Sequence, residues 1–331
     1  MSWSSGTVMR HSTTTNNPSQ SMRKIRILLT GGGGMVGRNL LEHPAISEFE
    51  VLAPRSTELD LRDFDAVQGY LRKHQPDMVI HAAGKVGGIQ ANMREPVGFL
   101  LENLDMGRNI VWASHQAGIK RLINLGSSCM YPRNHSEPLR EEMVLKGELE
   151  PTNEGYALAK VVTARLCEYI MREDASYQYK TLIPCNLYGR HDKFDPAHSH
   201  LIPAIIHKVH QAKQTGQATV EIWGDGSARR EFMYSGDLAD AIVRAIKEFE
   251  SLPALMNVGL GHDYTINEYY QAAADVLGYA GSFVHDLSKP VGMARKLVSV
   301  ERQQAWGWHA NRDLRAGIDE TYSFYLKEHQ Q

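Results

Sequence analysis

The run "KIRILLT" passes without a break into "TGGGGMVG", and this junction constrains the fold more than any other part of the chain. An almost wholly apolar segment is what a strand looks like when both faces of a parallel sheet are covered. Gly31, Gly34 and Gly37 follow at GxxGxxG spacing, just where a helix pattern begins near Met35. Glycines here let the backbone turn tightly, approach a pyrophosphate and pack helix against strand, while free N–H groups at the helix start face the phosphates. A glycine motif alone is weak, but strand before and helix after is the context it requires. The loop residues Gly31, Gly34, Met35, Val36 and Gly37 are therefore candidate dinucleotide contacts.

Downstream the alternation continues. The sequence predicts strands over 24–30, 49–53, 77–82, 121–126, 180–185 and 219–223. It predicts helices over 34–43, 63–74, 95–118, 156–174, 201–214, 236–249, 265–278 and 312–327. Strands alternating with helices predict a doubly wound α/β (Rossmann) sheet. After residue 188 the loops lengthen, in "RHDKFDPAHSH" and "WGDGSARREF". The expected organisation is a disordered extension over 1–21, a cofactor-binding domain over 22–188, and a smaller α/β substrate-binding lobe over 189–331. The extension is rich in Ser, Thr and Asn and has no apolar core of a secretory signal.

Composition narrows the partners. A net charge of −2 over 331 residues gives no bulk reason to expect nucleic acid or a membrane surface, so an anionic substrate must meet a local basic cluster. The three cysteines, Cys129, Cys167 and Cys185, form neither CxxC nor zinc spacing, which fits a reducing, cytoplasmic setting. Five histidines (His191, His198, His200, His207 and His210) crowd one stretch and raise a metal reading. No cysteine pair accompanies them, and His207 and His210 fall on a predicted helix, so no metal is expected.

The stretch "EPTNEGYALAK" places Tyr156 and Lys160 on one helix face. Either they are two solvated residues of an amphipathic helix, or the ammonium makes the phenol a better acid. Two strand ends decide for chemistry. "NLGSSCMYP" puts Ser127 and Cys129 at a strand C-terminus, where open α/β sheets bind ligands, and "HAAGKVGG" ends another strand with Ala82 and Ala83. Adding hydride to a ketone makes an alkoxide that must receive a proton. Tyr156 can supply it, Lys160 can lower the phenol pKa and hold the nicotinamide ribose, and Ser127 can orient the carbonyl. If the strand continued, Ser127 and Cys129 would point the same way. After the second strand, Arg55 stands near the position that reads the adenosine ribose, and Arg38 follows the glycine loop. Two guanidiniums suit the 2′-phosphate of NADP(H), although Glu58 and Asp60 lie close by.

These motifs together resemble the extended short-chain dehydrogenase/reductase family, and most closely its GDP-L-fucose synthase branch. The resemblance is carried by "GMVG", "AAGKVGGI", "LGSSCMYP", "EPTNEGYALAK", "NLYGRHDKFDPAHSHLIPA", "WGDGSARREF" and "KPVGMARKL", and it spans nearly everything from Met22 onward. It implies 3,5-epimerisation and then NADPH-dependent 4-reduction of GDP-4-keto-6-deoxy-D-mannose. Cys129 and His200 would be the epimerising acid–base pair. Arg230, Lys296, Trp223 and Lys208 would bind the GDP-sugar, and a homodimer would form through the helices at 95–118 and 156–174. Lys208 stands where the family usually shows arginine, and Gly155 where it shows proline. Arg229, Ser235 and Gly236 also depart, which leaves the exact sugar open, including the 3-deoxy ketosugar of colitose synthesis. A dehydratase would need an acidic pair after the serine, where this chain has Cys129 and Met130. A catalytically silent scaffold would need a broken Ser/Tyr/Lys set.

Overall fold

The computed structural model describes residues 1, 23–195, 199–289 and 293–329. The extension expected at 1–21 lies, apart from Met1, outside the described residues, as does His198.

The first half of the chain runs β1 (Arg26–Thr30), α1 (Met35–Leu41), β2 (Glu50–Leu52), α2 (Phe64–His74), β3 (Met78–His81), α3 (Ile89–Arg94), α4 (Pro96–Gln116), β4 (Arg121–Leu125), α5 (Glu154–Glu173) and β5 (Gln178–Pro184). Next come β6 (Asn186–Tyr188), α6 (Leu201–Thr215), β7 (Thr219–Trp223), β8 (Arg229–Arg230), β9 (Phe232–Tyr234), α7 (Ser235–Lys247) and β10 (Leu255–Val258). The chain ends with β11 (Tyr264–Thr265), α8 (Ile266–Leu277), β12 (Ser282–Asp286), β13 (Arg295–Lys296), α9 (Glu301–Ala305) and α10 (Leu314–His329).

Six of these strands form one parallel sheet in the order β10-β5-β4-β3-β1-β2. This is the doubly wound fold that the alternation predicts. Register explains why its strands read as unbroken apolar runs. Leu28, Val79 and Leu122 are cross-strand neighbours facing one helical layer, while Leu29, Ile80 and Ile123 face the other. The order reverses between β1 and β3, and the crevice at that switch point opens at the strands' C-terminal ends.

A boundary at residue 188 does not coincide with the edge of this sheet. The chain returns to it at β10, which pairs with β5 from Leu255↔Thr181 to Val258↔Pro184, and Leu238, Ile242 and Ile246 of α7 join the same core. β10 is not among the strands that the sequence predicts, and it joins the sheet only after the excursion through β6–β9 and α6–α7. The second core gathers α6, α8 and α10 around Ile206, Val209, Tyr269 and Tyr325. A three-stranded sheet, β11-β8-β13, lies among the later elements.

Candidate active site

Three strand ends build the floor of the crevice. After β1, Gly31 adopts φ +75°, and a Cβ there would sit 2.6–2.7 Å from the backbone of Ala82 and Ala83. A Cβ on Gly37 would come within 2.2 Å of the Gly31 carbonyl. Both glycines are thus required by close approach, and the loop leaves Gly33 and Gly34 exposed at the mouth of α1. Thr30 fastens the first strand end to the second: its Oγ1 lies 2.8 Å from His81 Nδ1 and accepts from the Ala83 N–H at 3.3 Å. A backbone open at the helix start and walled by small residues fits a dinucleotide pyrophosphate.

Both acids near the end of β2 are already engaged. Glu58 Oε2 accepts the Arg55 N–H at 2.7 Å. Asp60 is forked by Arg62 Nε and Nη2 at 2.9 and 2.8 Å, and those hydrogen bonds hold its carboxyl down at about 2. Arg55 itself is exposed. Arg38, on α1, is engaged by another residue: Nη1 donates to His191 Nδ1 at 3.3 Å while His191 Nε2 meets Glu42 at 2.7 Å. The structure therefore separates the environments of the two arginines that the sequence grouped together.

The third strand end carries the candidate reacting groups. Tyr156 and Lys160 are one turn apart on α5, with Lys160 Nζ 5.9 Å from the phenol ring and donating to the Leu125 carbonyl at 3.0 Å. Ser127 stands close enough to Tyr156 to hold the phenol pKa partly down. Burial lowers the Lys160 pKa to about 8. Burial, and then the charge of Cys129, push the Tyr156 phenol up, with Ser127 pulling it partly back. The depressed phenol pKa expected from the sequence is thus not what these residues give by themselves: the ammonium is spent on a carbonyl and both groups are desolvated. Beneath Lys160, His81 is held neutral, its pKa lowered to about 3 by burial and by the lysine's charge.

Cys129 does not continue the strand. It lies in a 3-10 turn, Ser128–Met130, whose first N–H groups are capped by Ser127: Oγ accepts from the Cys129 N–H at 3.3 Å. The expected i, i+2 alignment of Ser127 and Cys129 is therefore replaced by a turn that wraps the cysteine past the serine. Its sulfur meets Asn153 Nδ2 at 3.2 Å and Lys296 Nζ at 3.8 Å.

Lys296 arrives from the small sheet, where strand alternation sorts four cations. Arg229 pairs with Arg295, and Arg230 with Lys296, in the β8–β13 register. The first pair clamps the buried Asp263 at 2.6 and 2.5 Å. Residues one step along a strand face the opposite side, so Arg230 and Lys296 share the other face. Burial lowers the Arg230 pKa, and the guanidinium has no carboxylate partner among the described residues. Glu231 braces this arrangement. It is 1 % exposed and accepts the N–H groups of Leu260, Gly261 and Val298 at 2.7, 3.0 and 2.9 Å, while burial raises its pKa to about 7.

His200 caps the start of α6, next to Ser199, whose carbonyl lies 3.3 Å from where a Cβ on Gly88 would be. It is exposed, yet desolvation of the ring and the charge of Lys193 lower its pKa. Lys208 and Trp223 stand apart from Cys129 in a cluster around Glu221. Lys208 Nζ donates to the Glu221 carbonyl at 2.7 Å, and Trp223 Nε1 to its carboxylate at 3.0 Å. His207 and His210 bond the hydroxyls of Tyr325 and Tyr322 at 3.0 and 2.9 Å. Among the described residues, no group of three His, Cys, Asp or Glu side chains is placed to hold a metal ion.

Sequence reasoning missed His81, Asn153 and Glu231. Only Asn153 left a signal, its place directly ahead of the YxxxK helix. Gly155 has a packing reason, since a Cβ there would stand 3.1 Å from the Pro96 carbonyl and 3.2 Å from Leu100 Cβ.

Comparison with known proteins shows the family. Residues 27–259 match the family described as "NAD dependent epimerase/dehydratase family". A GDP-L-colitose synthase from Yersinia pseudotuberculosis is 55% identical over 304 residues, covering 92% of this chain and 99% of that protein. A GDP-L-fucose synthase from Azorhizobium caulinodans is 51% identical over 301 residues, covering 91% and 96%. Among solved structures, a GDP-L-fucose synthetase from Naegleria fowleri bound to NADP superposes with a TM-score of 0.83 at 26% identity, covering 96% and 98%. The chain belongs to the NAD dependent epimerase/dehydratase family, as an extended short-chain dehydrogenase/reductase of the GDP-L-fucose synthase type.

Proposed function

We propose that this protein is a bifunctional 3,5-epimerase and NADPH-dependent 4-reductase that converts GDP-4-keto-6-deoxy-D-mannose to GDP-L-fucose. The observation that carries the reading is a sulfur flanked by an amide and an ammonium, in the turn that Ser127 opens beside Tyr156. A plain 4-reductase has no use for such a sulfur. Carbons 3 and 5 flank the ketone, so their protons are acidic, and inversion needs one group to take a proton and another to return one on the opposite face. Cys129 is the base of this account, and His200 is the acid. Ser127 holds the C4 oxygen, Tyr156 protonates it as the ketone is reduced, and Lys160 supports the phenol and the cofactor ribose.

The cofactor supplies the hydride. Gly31, Gly34, Met35, Val36 and Gly37 would hold its pyrophosphate, with Ala82 and Ala83 forming the wall beside it. Arg55, and more remotely Arg38, would meet a 2′-phosphate. NADP(H) is preferred over NAD(H) here because Glu58 and Asp60 already have partners and Arg55 remains exposed. The substrate pyrophosphate is assigned to Arg230 and Lys296, and the guanine base, the end away from the reacting sugar, to the cluster of Lys208 and Trp223. In this reading the cofactor lobe comprises 22–188 together with α7 and β10, and the rest forms the substrate lobe.

A homodimer through α4 and α5 is part of the proposal. The two helices leave Val97, Leu101, Leu158, Val162 and Tyr169 37–67 % exposed, an apolar face that a second copy would cover. Among the described residues no helix is long and apolar enough to cross a membrane, and the three cysteines are free, as a cytoplasmic enzyme's would be.

One observation favours a second reading, action on the 3-deoxy ketosugar to give GDP-L-colitose: the 55% identical relative bears that name. Carbon 3 of that substrate is a methylene, so only carbon 5 would invert. Incubation of each ketosugar with NADPH, with the product sugar identified by NMR, tests both readings. GDP-L-fucose from the first substrate supports the main one. Turnover of the 3-deoxy sugar alone replaces it with the second, and NADPH consumption without inversion removes the epimerase half.

A further inference from the structure

Asn153 occupies the N-cap position of α5, where an asparagine side chain ordinarily accepts a first-turn N–H. It makes no such bond. Its amide turns to the catalytic turn instead, Nδ2 lying 3.2 Å from Cys129 Sγ, while Oδ1 is buried without a partner among the described residues. A good helix cap has thus been given up for a donor aimed at a sulfur. We propose that Asn153 is a positioning residue for epimerisation, donating to the Cys129 sulfur and fixing it where it takes the α-proton. This rests on the reading of Cys129 as the base.

The groups facing the sulfur are few. Lys296 reaches it from β13 at 3.8 Å, Tyr156 senses its charge from α5, and Ser127 Oγ holds the cysteine N–H. None of these is a carboxylate. The two donors differ in what else they can do. Lys296 shares a face with Arg230 and is drawn to an incoming pyrophosphate, whereas Asn153 is anchored between Pro151 and the first turn of α5. Asn153 is therefore the donor that stays with the sulfur when substrate arrives. In the step it serves, the Cys129 thiolate takes the proton from the carbon beside the ketone. The sulfur becomes a thiol, the C–H electron pair becomes an enolate, and His200 delivers a proton to the opposite face.

Alkylation by iodoacetamide in the full-length protein reads the thiolate directly. Cys167 and Cys185 are buried with thiol pKa values raised by burial, so the reaction reports Cys129. N153A is expected to slow alkylation at pH 7 about tenfold. N153D is expected to be slower still, because its carboxylate repels the anionic sulfur. N153A deletes a side chain that caps no helix N–H, so it should melt close to the wild-type temperature, which separates the effect from misfolding. Wild-type alkylation by N153D, or by both variants, would overturn the proposal and leave Asn153 a helix-terminus residue. Deuterium exchange of the ketosugar α-protons in D2O supplies the second reading: N153A should exchange about tenfold more slowly. If C129S exchanged at the wild-type rate, Cys129 would not be the base, and that failure would be visible apart from the alkylation result.

Discussion

Replacing Lys160 by methionine should abolish reduction and yet stabilise the cofactor-free protein at neutral pH. Lys160 is 7 % exposed, and burial brings its pKa from 10.5 to about 8. At about 1.4 kcal/mol per pKa unit, keeping the ammonium charged in the fold costs about 3 kcal/mol at pH 7. Methionine removes that cost but also removes the hydrogen bond to the Leu125 carbonyl at 3.0 Å, worth about 1–2 kcal/mol. The net expectation is a variant about 1–2 kcal/mol more stable, a melting temperature higher by about 1–3 °C. The sign with pH follows from a lysine pKa that is lowered in the fold. The penalty is full below about pH 8, is released between about 8 and 10.5 as the folded lysine sheds its proton while the unfolded one keeps it, and is absent above. Urea unfolding of wild type and K160M across pH 6.5–11 should therefore show the variant ahead at pH 7 and behind above pH 10.5. A variant less stable at pH 7, or a gap that ignores pH, would refute the claim that desolvation dominates this lysine.

Other perturbations probe separate parts of the site. G31A forces a Cβ against Ala82 and Ala83 at φ +75° and should cost about 2 kcal/mol or more, with NADPH affinity falling in a fluorescence titration. R55A should weaken NADPH about tenfold and leave NADH nearly untouched, measured by the same titration with both nucleotides. V97E combined with L101E places charge on the apolar face of α4 and should yield monomers in sedimentation velocity.

The long elements were legible because their patterns are long. All eight helices expected from periodicity exist, and the parallel sheet was announced by strands such as "RILLT", whose neighbours in register are buried on both faces. What escaped was short or non-local. β8, β11 and β13 have two residues each, too few for alternation to register, and β10 returns to the sheet from far along the chain. Yet those two-residue strands set which of four cations face the cysteine. Tyr156 and Lys160 could be placed because helix geometry fixes an i, i+4 pair. The geometry of Ser127 and Cys129 could not, since the chain leaves the strand for a 3-10 turn. Asn153 looks in sequence like an ordinary helix cap, and only its contact with a sulfur 24 residues away says otherwise. The phenol's acidity was misjudged for a related reason: burial, invisible in sequence, outweighs the nearby ammonium.

The central claim is that one crevice holds two separable proton machines, Cys129 with His200 for inversion and Ser127, Tyr156 and Lys160 for reduction. The direct measurement is Y156F beside C129S, each given GDP-4-keto-6-deoxy-D-mannose and NADPH in D2O, with deuterium at carbons 3 and 5 followed by NMR and NADPH by absorbance. The account predicts that Y156F exchanges both protons while consuming no NADPH, and that C129S exchanges neither. Exchange lost together with reduction in Y156F, or kept in C129S, would contradict it.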